Sequence, residues 1–491
     1  MAQVSREHVR WLVLAFAALG LRATGAILRP PWHDEYFTIW LANGSWRHML
    51  DALRLDSGPP LLYAASKLLV FAGLPPLAAA RTLTVLAGTA AVLLATRAAR
   101  QRLGQGAGWW CGALLATHPL ALAWSCEARA YALLLLAVAW AWERLNQISM
   151  RQRGTLGLAL AVALACWSHA FGLILAGTLA LAALGMARAQ RRPTLLAVAG
   201  GVAAHLPWLP IAARQPPAAT EWMVHAWHAL PLSERLLAPF RLLPPVAPFG
   251  AHLDLATAPV ALQLAAALGC LYLLVRSRAD GQPFLLWLLP ATGLTVLAFV
   301  GAPALYMGRG EALFLAPALA ILAAGASTSR ASNVIAAFLV VGGLVVSGAS
   351  LRSWANRPAS PEEQLANALR QHLPRNGTVI VDGYWRLGLD YQLHRDGAHY
   401  TFINYPAAAA DHPGWYDDLS VRPQPGELER LRTQVGPTTN TGSLAVVVSP
   451  GLATMPDLER FARSLGLRPA FEAPGGVVWL APRHTAGPDT S

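Results

Sequence analysis

Residues 11–28 read WLVLAFAALGLRATGAIL and run straight into Arg29-Pro30-Pro31-Trp32-His33-Asp34-Glu35-Tyr36. An apolar helix of about 20 residues spans the hydrocarbon of a bilayer, and this run comes close to that length. Arg6 and Arg10 precede it, and it ends in Leu-Arg-Pro-Pro without a small-residue cleavage pattern. It therefore reads as a retained first membrane span rather than a removed signal peptide. Two adjacent carboxylates just past its end belong at the membrane boundary or in a polar cavity, because a charge costs about 2.5–3.5 kcal/mol at the centre of a span. The local alternative is that Asp34 or Glu35 simply caps an amphipathic helix running to about Leu41.

The rest of the chain repeats the apolar theme. Of 491 residues, 55% are hydrophobic and 13% charged, against roughly a quarter charged in a globular protein, which excludes a disordered chain and argues against a single ordinary soluble domain. Further runs at 78–96, 107–123, 130–145, 155–169, 171–187, 194–213, 257–275, 283–301, 311–326 and 332–350 predict about eleven spans in an α-helical polytopic membrane bundle. No internal repeat of fixed period is evident, which argues against transporters built from duplicated halves.

Charge orients the bundle. The formal net charge is +12, from 38 Lys and Arg against 26 Asp and Glu, and Lys67 is the sole lysine. The arginines fall in short alternate loops, at 97, 100 and 102, at 144, 151 and 153, at 188, 191 and 192, at 276 and 278, and at 330. Short basic loops face the cytoplasm, and no nucleic-acid-binding motif accompanies them, so no nucleic acid partner is expected. The longer stretches 29–77 and 214–256 then face outward. An odd number of spans from a cytoplasmic N-terminus places everything after residue 351 outside, as in a multi-pass protein of a bacterial inner membrane. Cys111, Cys126, Cys166 and Cys270 lie in or beside apolar runs and form neither a disulfide framework nor a zinc pattern.

The chain divides into two domains, a transmembrane part over 1–350, with its first outward loop at 29–77, and a water-soluble part over 351–491. From about 356 to 484 the composition changes, with a helix start at Ser360-Pro361-Glu362-Glu363 and a β-like run Thr378-Val379-Ile380-Val381. Strands are also expected at 443–448 and 476–481, and helices near 361–373, 426–436 and 456–465. The alternation predicts a small extracytoplasmic α/β domain, with a loose tail after Pro482.

Polar clusters recur where spans meet the outward face. Asp56-Ser57-Gly58-Pro59-Pro60-Leu61-Leu62-Tyr63 is a rigid turn entering an apolar helix that ends at Gly73. Trp124-Ser125-Cys126-Glu127-Ala128-Arg129-Ala130-Tyr131 joins two spans. Its acid and base either neutralise each other or nearby charges, or leave Arg129 to hold a phosphate through its planar guanidinium. Trp167-Ser168-His169-Ala170-Phe171-Gly172 comes next, and then Tyr306-Met307-Gly308-Arg309-Gly310-Glu311. A lone histidine at such a turn is more often a hydrogen-bonded structural group than a catalyst, but five polar clusters on one face of an apolar bundle are harder to dismiss than any one of them. No Asp-x-Asp and no glycine-rich phosphate loop is present, which disfavours a nucleotide-sugar donor.

Taken in order, Asp34-Glu35, Pro59-Pro60-Leu61, Glu127-Ala128-Arg129-Ala130-Tyr131 and Ser168-His169 with Phe171-Gly172 resemble the polytopic GT-C glycosyltransferases that use polyprenyl-phosphate sugars, the family of protein O-mannosyltransferases and the lipid A aminoarabinose transferase. Many relatives carry a histidine where this chain has Gly58, and an Arg-Tyr where it has Arg309-Gly310. The resemblance implies transfer of a sugar from a polyprenyl-phosphate donor to an extracytoplasmic acceptor hydroxyl. Asp34 is then the expected general base, and Glu35 orients it or the acceptor, or ligates a divalent cation if this member uses one. Arg129, His169 and Arg309 are expected at the donor phosphate, and Trp32, Tyr36, Asp56, Glu127 and Tyr131 at the substrates. The rival reading is a transporter or lipid flippase with an exported accessory domain, which predicts charges at the bilayer midplane.

Overall fold

The computed structural model describes residues 2–151, 153–216, 218–240, 243–245, 255–279, 281–300, 309–394, 399–410, 423–439, 443–449, 454–473 and 475–481. By internal contacts the chain forms two units, Met1–Arg29 with Ser45–Asn356, and Pro30–Gly44 with Arg357–Ser491.

The first unit opens with α1 (Ala2–Leu28); α2 (His33–Asn43) belongs to the second. The first unit continues through α3 (Trp46–Leu53), α4 (Leu61–Phe71), α5 (Pro76–Leu103), α6 (Gln105–Thr117), α7 (Pro119–Cys126), α8 (Tyr131–Arg151), α9 (Thr155–Ser168), α10 (Gly172–Leu184) and α11 (Arg188–Ala203). Beyond these lie α12 (Leu209–Ala212), α13 (Ala218–Ala229), α14 (Leu232–Leu237), α15 (Val260–Arg276), α16 (Gly281–Phe299), α17 (Leu315–Ala326) and α18 (Arg330–Ala355). Among the described residues, five helical stretches are long and apolar enough to cross a membrane: Arg6–Leu28, Pro76–Leu103, Arg188–Ala212, Gly281–Phe299 and Arg330–Ala355. α4, α9, α10, α15 and α17 are apolar but shorter. All twelve residues of α17 are buried, as expected of a helix that is apolar on every side.

The expected span 107–123 is interrupted in its middle. Pro119 brings no amide hydrogen to the helix ladder, so α6 stops at Thr117 and α7 starts afresh. His118 caps the new helix, its Nδ1 accepting from the amide of Leu120 at 3.2 Å. A second break, four residues long, separates α7 from α8, and the two helices meet there at 119°. The pieces pack closely because their contact faces are small: Ala91, Ala95, Ala98 and Ala99 of α5 and Ala137, Ala139 and Ala141 of α8 are fully buried. Small side chains let helices approach closely in an apolar bundle.

The second unit is an α/β domain with the expected helix start. In α19 (Pro361–His372) the Ser360 hydroxyl accepts from the amide of Glu363, whose carboxylate returns to the amide of Ser360. Arg357 clamps the same carboxylate with two bonds of 2.8 and 3.0 Å. Then come β1 (Thr378–Asp382), α20 (Gly383–His394), β2 (Thr401–Tyr405), α21 (Glu427–Thr439), β3 (Leu444–Val448), α22 (Met455–Ser464), β4 (Arg468–Ala473) and β5 (Gly476–Leu480). Sheet order is β2-β1-β3-β5-β4, with β1 parallel to both its neighbours and β5 antiparallel to β3 and β4. β3 is apolar throughout, and β1 is apolar from Val379 to Val381, because both faces are covered. Val379, Val381, Ala445 and Val447 pack with Leu365, Leu369 and Trp385 on one face, and Ile380, Val446 and Val448 pack with Leu431, Leu458 and Phe461 on the other.

Asp382 ties the end of β1 to α20 and to the residue just past β3. One carboxylate oxygen accepts from the amides of Tyr384 and Trp385 at 3.0 and 3.3 Å, holding the first turn of α20. The other accepts from the amide of Ser449 at 3.0 Å and from its hydroxyl. Burial pushes this carboxyl up to about 6, against the opposing effect of those hydrogen bonds.

The four native cysteines are all buried, so a thiol at exposed Ala470 on edge strand β4 reports the side of the membrane on which this domain lies. The arginine-rich loops predict that Ala470→Cys reacts with a membrane-impermeant maleimide in intact cells; labelling only after the cells are opened reverses the orientation.

Candidate functional site

A cavity of about 390 Å³ opens within the first unit. Its polar lining comes from four separated stretches of chain: Asp56 and Ser57 of the turn before α4, with Tyr63 of α4 itself; Arg129 and Tyr131 at the bend between α7 and α8; Ser168 and His169 at the end of α9; and Arg309 before α17. Leu62, Phe171, Leu173, Ile174 and Leu297 supply an apolar wall. Asp56, Arg129, Tyr131, His169 and Arg309, each singled out by sequence, thus share one chamber. Tyr306, Met307 and Gly308 lie outside the described residues.

The bend is the centre of the site, and it is held by buried arginines. Ala128 and the residues around it leave the helix at Glu127, and the amide of Arg129 turns back to the carbonyl of Glu127 at 2.8 Å. The Glu127 carboxylate pairs with Arg29 at 3.2 Å, both side chains 1% exposed. Arg29 also donates to the carbonyl of Ala123 at 3.1 Å and stacks over Trp354 at 5.6 Å. Two helix turns earlier, Arg22 donates to the Ser125 hydroxyl at 3.1 Å and to the carbonyls of Ala116 and Leu115, which the end of α6 leaves without helical partners. Arg81 does the same for α1, donating to Ala26 and Arg29 carbonyls at 2.6 and 2.7 Å. Gly88 makes room for this arrangement, since a Cβ there would lie 2.0 Å from the Ser125 hydroxyl oxygen. Glu127, expected at a substrate, is therefore spent on the scaffold, and Arg129 two residues later is the one that lines the cavity.

Around the chamber, Pro59 and Pro60 start α4 and set Tyr63 in its first turn. The Tyr63 hydroxyl accepts from Arg129 Nη1 at 3.3 Å. Gln215 fastens the turn by donating to the carbonyls of Leu53 and Gly58. His169 caps α9, and its Nδ1 accepts from the amide of Phe171 at 3.2 Å. That bond puts the proton of the neutral ring on Nε2. The ring lies 4.2 Å from Phe171 and 5.6 Å from Tyr131. Arg309 donates to the sulfur of Met223. The chamber thus holds two guanidinium groups, an imidazole and one carboxylate beside an apolar wall, a composition suited to an anionic head on a hydrocarbon chain.

Asp34 and Glu35 lie in the second unit, in the first turn of α2. The capping position is Trp32, without a side-chain cap bond, so the carboxylates do not cap the helix as the local reading expected. Acids in a first turn are favoured by the helix dipole. Asp34 and Trp32 are half-buried, and Glu35 is fully buried. Tyr36, expected at the substrates, is instead buried within the second unit, where its hydroxyl accepts from Gln392 at 3.4 Å. Among the described residues no group of three His, Cys, Asp or Glu side chains is set to hold a metal ion.

No protein-family model and no curated protein matches the sequence. Solved structures do match. ArnT from Cupriavidus metallidurans bound to undecaprenyl phosphate aligns over 97% of this chain and 99% of its own, at TM-score 0.56 and 15% identity. The apo form of the same protein aligns over 96% and 98%, at 0.50 and 14%. The chain has the fold of the polytopic GT-C glycosyltransferases. A weaker likeness, at TM-score 0.49 and 13% identity over 96% of this chain and 74% of the other, is to the Archaeoglobus fulgidus oligosaccharyltransferase tethered to an acceptor peptide.

Removing one partner of a buried ion pair leaves the other charge uncompensated, at a cost of about 3–5 kcal/mol. Arg29→Met is accordingly expected to lower the thermal midpoint of the purified protein sharply, and Arg29→Met with Glu127→Gln to recover much of that loss. Equal midpoints for the single variant and the unaltered protein would show that the pair does not hold the bend.

Proposed function

We propose that this protein is a membrane glycosyltransferase that moves a sugar from a polyprenyl-phosphate donor to a hydroxyl of an extracytoplasmic glycolipid, glycan or protein. The observation that carries the reading is the single chamber in which Arg129, Arg309 and His169 converge beside an apolar wall. The fold shared with ArnT, whose structure holds undecaprenyl phosphate, supports it.

In this reading the hydrocarbon of the donor stays in the bilayer and its phosphate enters the chamber. Arg129 and Arg309 neutralise the phosphate, and the Nε2 hydrogen of His169 donates to it. Asp56 and Tyr131 bind sugar hydroxyls. The acceptor oxygen attacks the anomeric carbon as the bond from that carbon to the phosphate oxygen breaks, with inversion. The bonding electrons leave with the phosphate, where the guanidinium groups stabilise the growing charge. Asp34 takes the proton of the attacking hydroxyl, and Glu35 orients it.

Two variants separate binding from chemistry in protein purified into lipid nanodiscs. Arg129→Gln is expected to weaken undecaprenyl phosphate binding, measured by native mass spectrometry, by about ten-fold or more, since a charge-assisted hydrogen bond to an anion contributes about 1.5–3 kcal/mol. Asp34→Asn is expected to bind that lipid as the unaltered protein does yet lose transfer from labelled polyprenyl-phosphate sugars by about 100-fold or more. Undiminished lipid binding in the first variant, or undiminished turnover in the second, contradicts the assigned roles.

A further inference from the structure

The segment that carries Asp34 and Glu35 is built into the C-terminal domain. Along α2, His33 and Tyr36 are one turn apart and therefore share a face, with the two carboxylates between them in sequence. The His33 ring lies parallel to that of Tyr384 in α20, 4.9 Å between centroids and 10° between planes. The Tyr36 ring lies 5.4 Å from Tyr391, and its hydroxyl accepts from Gln392. Tyr384, Gly388, Tyr391 and Gln392 recur at helical spacing and form one stripe of α20.

The glycine in that stripe sets how near the two helices come. A Cβ at position 388 would lie 3.2 Å from the Tyr36 ring and 2.6 Å from Cγ of Glu362, so a larger residue presses on both the Tyr36 ring of α2 and the Glu362 side chain of α19. α20 is itself fixed to the sheet, because Asp382 at the end of β1 accepts from the amides of Tyr384 and Trp385. Trp385 is buried among Leu365, Leu369, Val379 and Val381. Sheet, Asp382, α20 and α2 thus form one continuous chain of contacts ending at the first turn that holds Asp34 and Glu35.

We propose that the C-terminal α/β domain is the scaffold that positions Asp34 and Glu35, with Tyr384, Gly388 and Gln392 as positioning residues. This rests on the reading of Asp34 as general base. Position matters in such a reaction because a displacement of about 1 Å costs about 100-fold in rate. The residues named touch the helix and not the reacting atoms, so their loss acts on turnover while leaving the donor phosphate site intact.

The test uses the full-length protein in nanodiscs, with Tyr384→Leu/Gln392→Leu and Gly388→Ala as loosening variants and Tyr384→Phe as the conservative one. Donor and acceptor are supplied by a solvent extract of host membranes labelled with radioactive sugars. In both loosening variants, amide exchange over 33–43 is expected to rise about ten-fold, with β1 and β3 unchanged. The maximal transfer rate is expected to fall by about ten-fold or more, with the apparent KM for labelled donor and the affinity for undecaprenyl phosphate held within about two-fold. Tyr384→Phe, which keeps the ring stack, is expected to retain both the exchange protection and the rate. Full transfer despite faster exchange over 33–43, or unchanged exchange in both loosening variants, overturns the inference. No transfer by the unaltered protein overturns the glycosyltransferase reading itself, and the inference with it.

Discussion

An ionised side chain cannot sit unpaired in an apolar helix bundle, where losing water costs several kcal/mol per charge. Arg22, Arg29, Arg81 and Glu127 are all buried there, and each is used where the helices break. A helix end leaves carbonyls without partners. Arg22 and Arg81 supply donors to those at the ends of α6 and α1, while Arg29 supplies the counter-charge of Glu127. Two deficits, unpaired charge and unpaired backbone, thus cancel each other. The consequence is a bend of 119° between α7 and α8, and on that bend sits Arg129, facing a chamber rather than lipid.

The same constraint distinguishes the arginines bound into the scaffold from those that line the chamber. Arg22 and Arg29 are surrounded by carbonyls, a hydroxyl and a carboxylate from the bundle itself. Arg129 and Arg309 line an open volume with His169 and Asp56. A phosphate on a lipid chain requires positive charge beside an apolar surface, which that chamber provides. The carboxylates of α2 belong to the other unit.

Much of this was legible in the sequence, and the remainder was hidden for definite reasons. Apolar runs marked the helices because spans must be apolar whatever they pack against. Pro119 could have marked the break inside 107–123, since proline at that place cannot continue a helix. In the C-terminal domain, β1, β3, β5, α19, α21 and α22 stem from apolar strands and helical periodicity, whereas β4, Arg-Pro-Ala-Phe-Glu-Ala, is an exposed edge with a proline and an irregular register and shows no alternation. α20 was missed because Gly383, Gly388 and its aromatic residues read poorly as a helix. The chamber was legible as a set of polar residues on one face of the bundle. Its division of labour was not: Arg29 meets Glu127 across 98 positions, and Tyr36 meets Gln392 across 356, pairings that no local pattern encodes. Tyr63 and Met223, which touch Arg129 and Arg309, carry no signal that separates them from ordinary core residues.

In the proposed function the chamber between α4, α8, α9 and Arg309 receives the phosphate of a polyprenyl lipid. An electron cryo-microscopy map of the protein in nanodiscs saturated with undecaprenyl phosphate tests it most directly. Phosphate density is expected within hydrogen-bonding reach of Arg129 and Arg309, with the isoprenoid chain leaving along the apolar wall formed by Leu173, Ile174 and Leu297. Lipid density confined to the outer faces of the bundle, with the chamber empty, would contradict it.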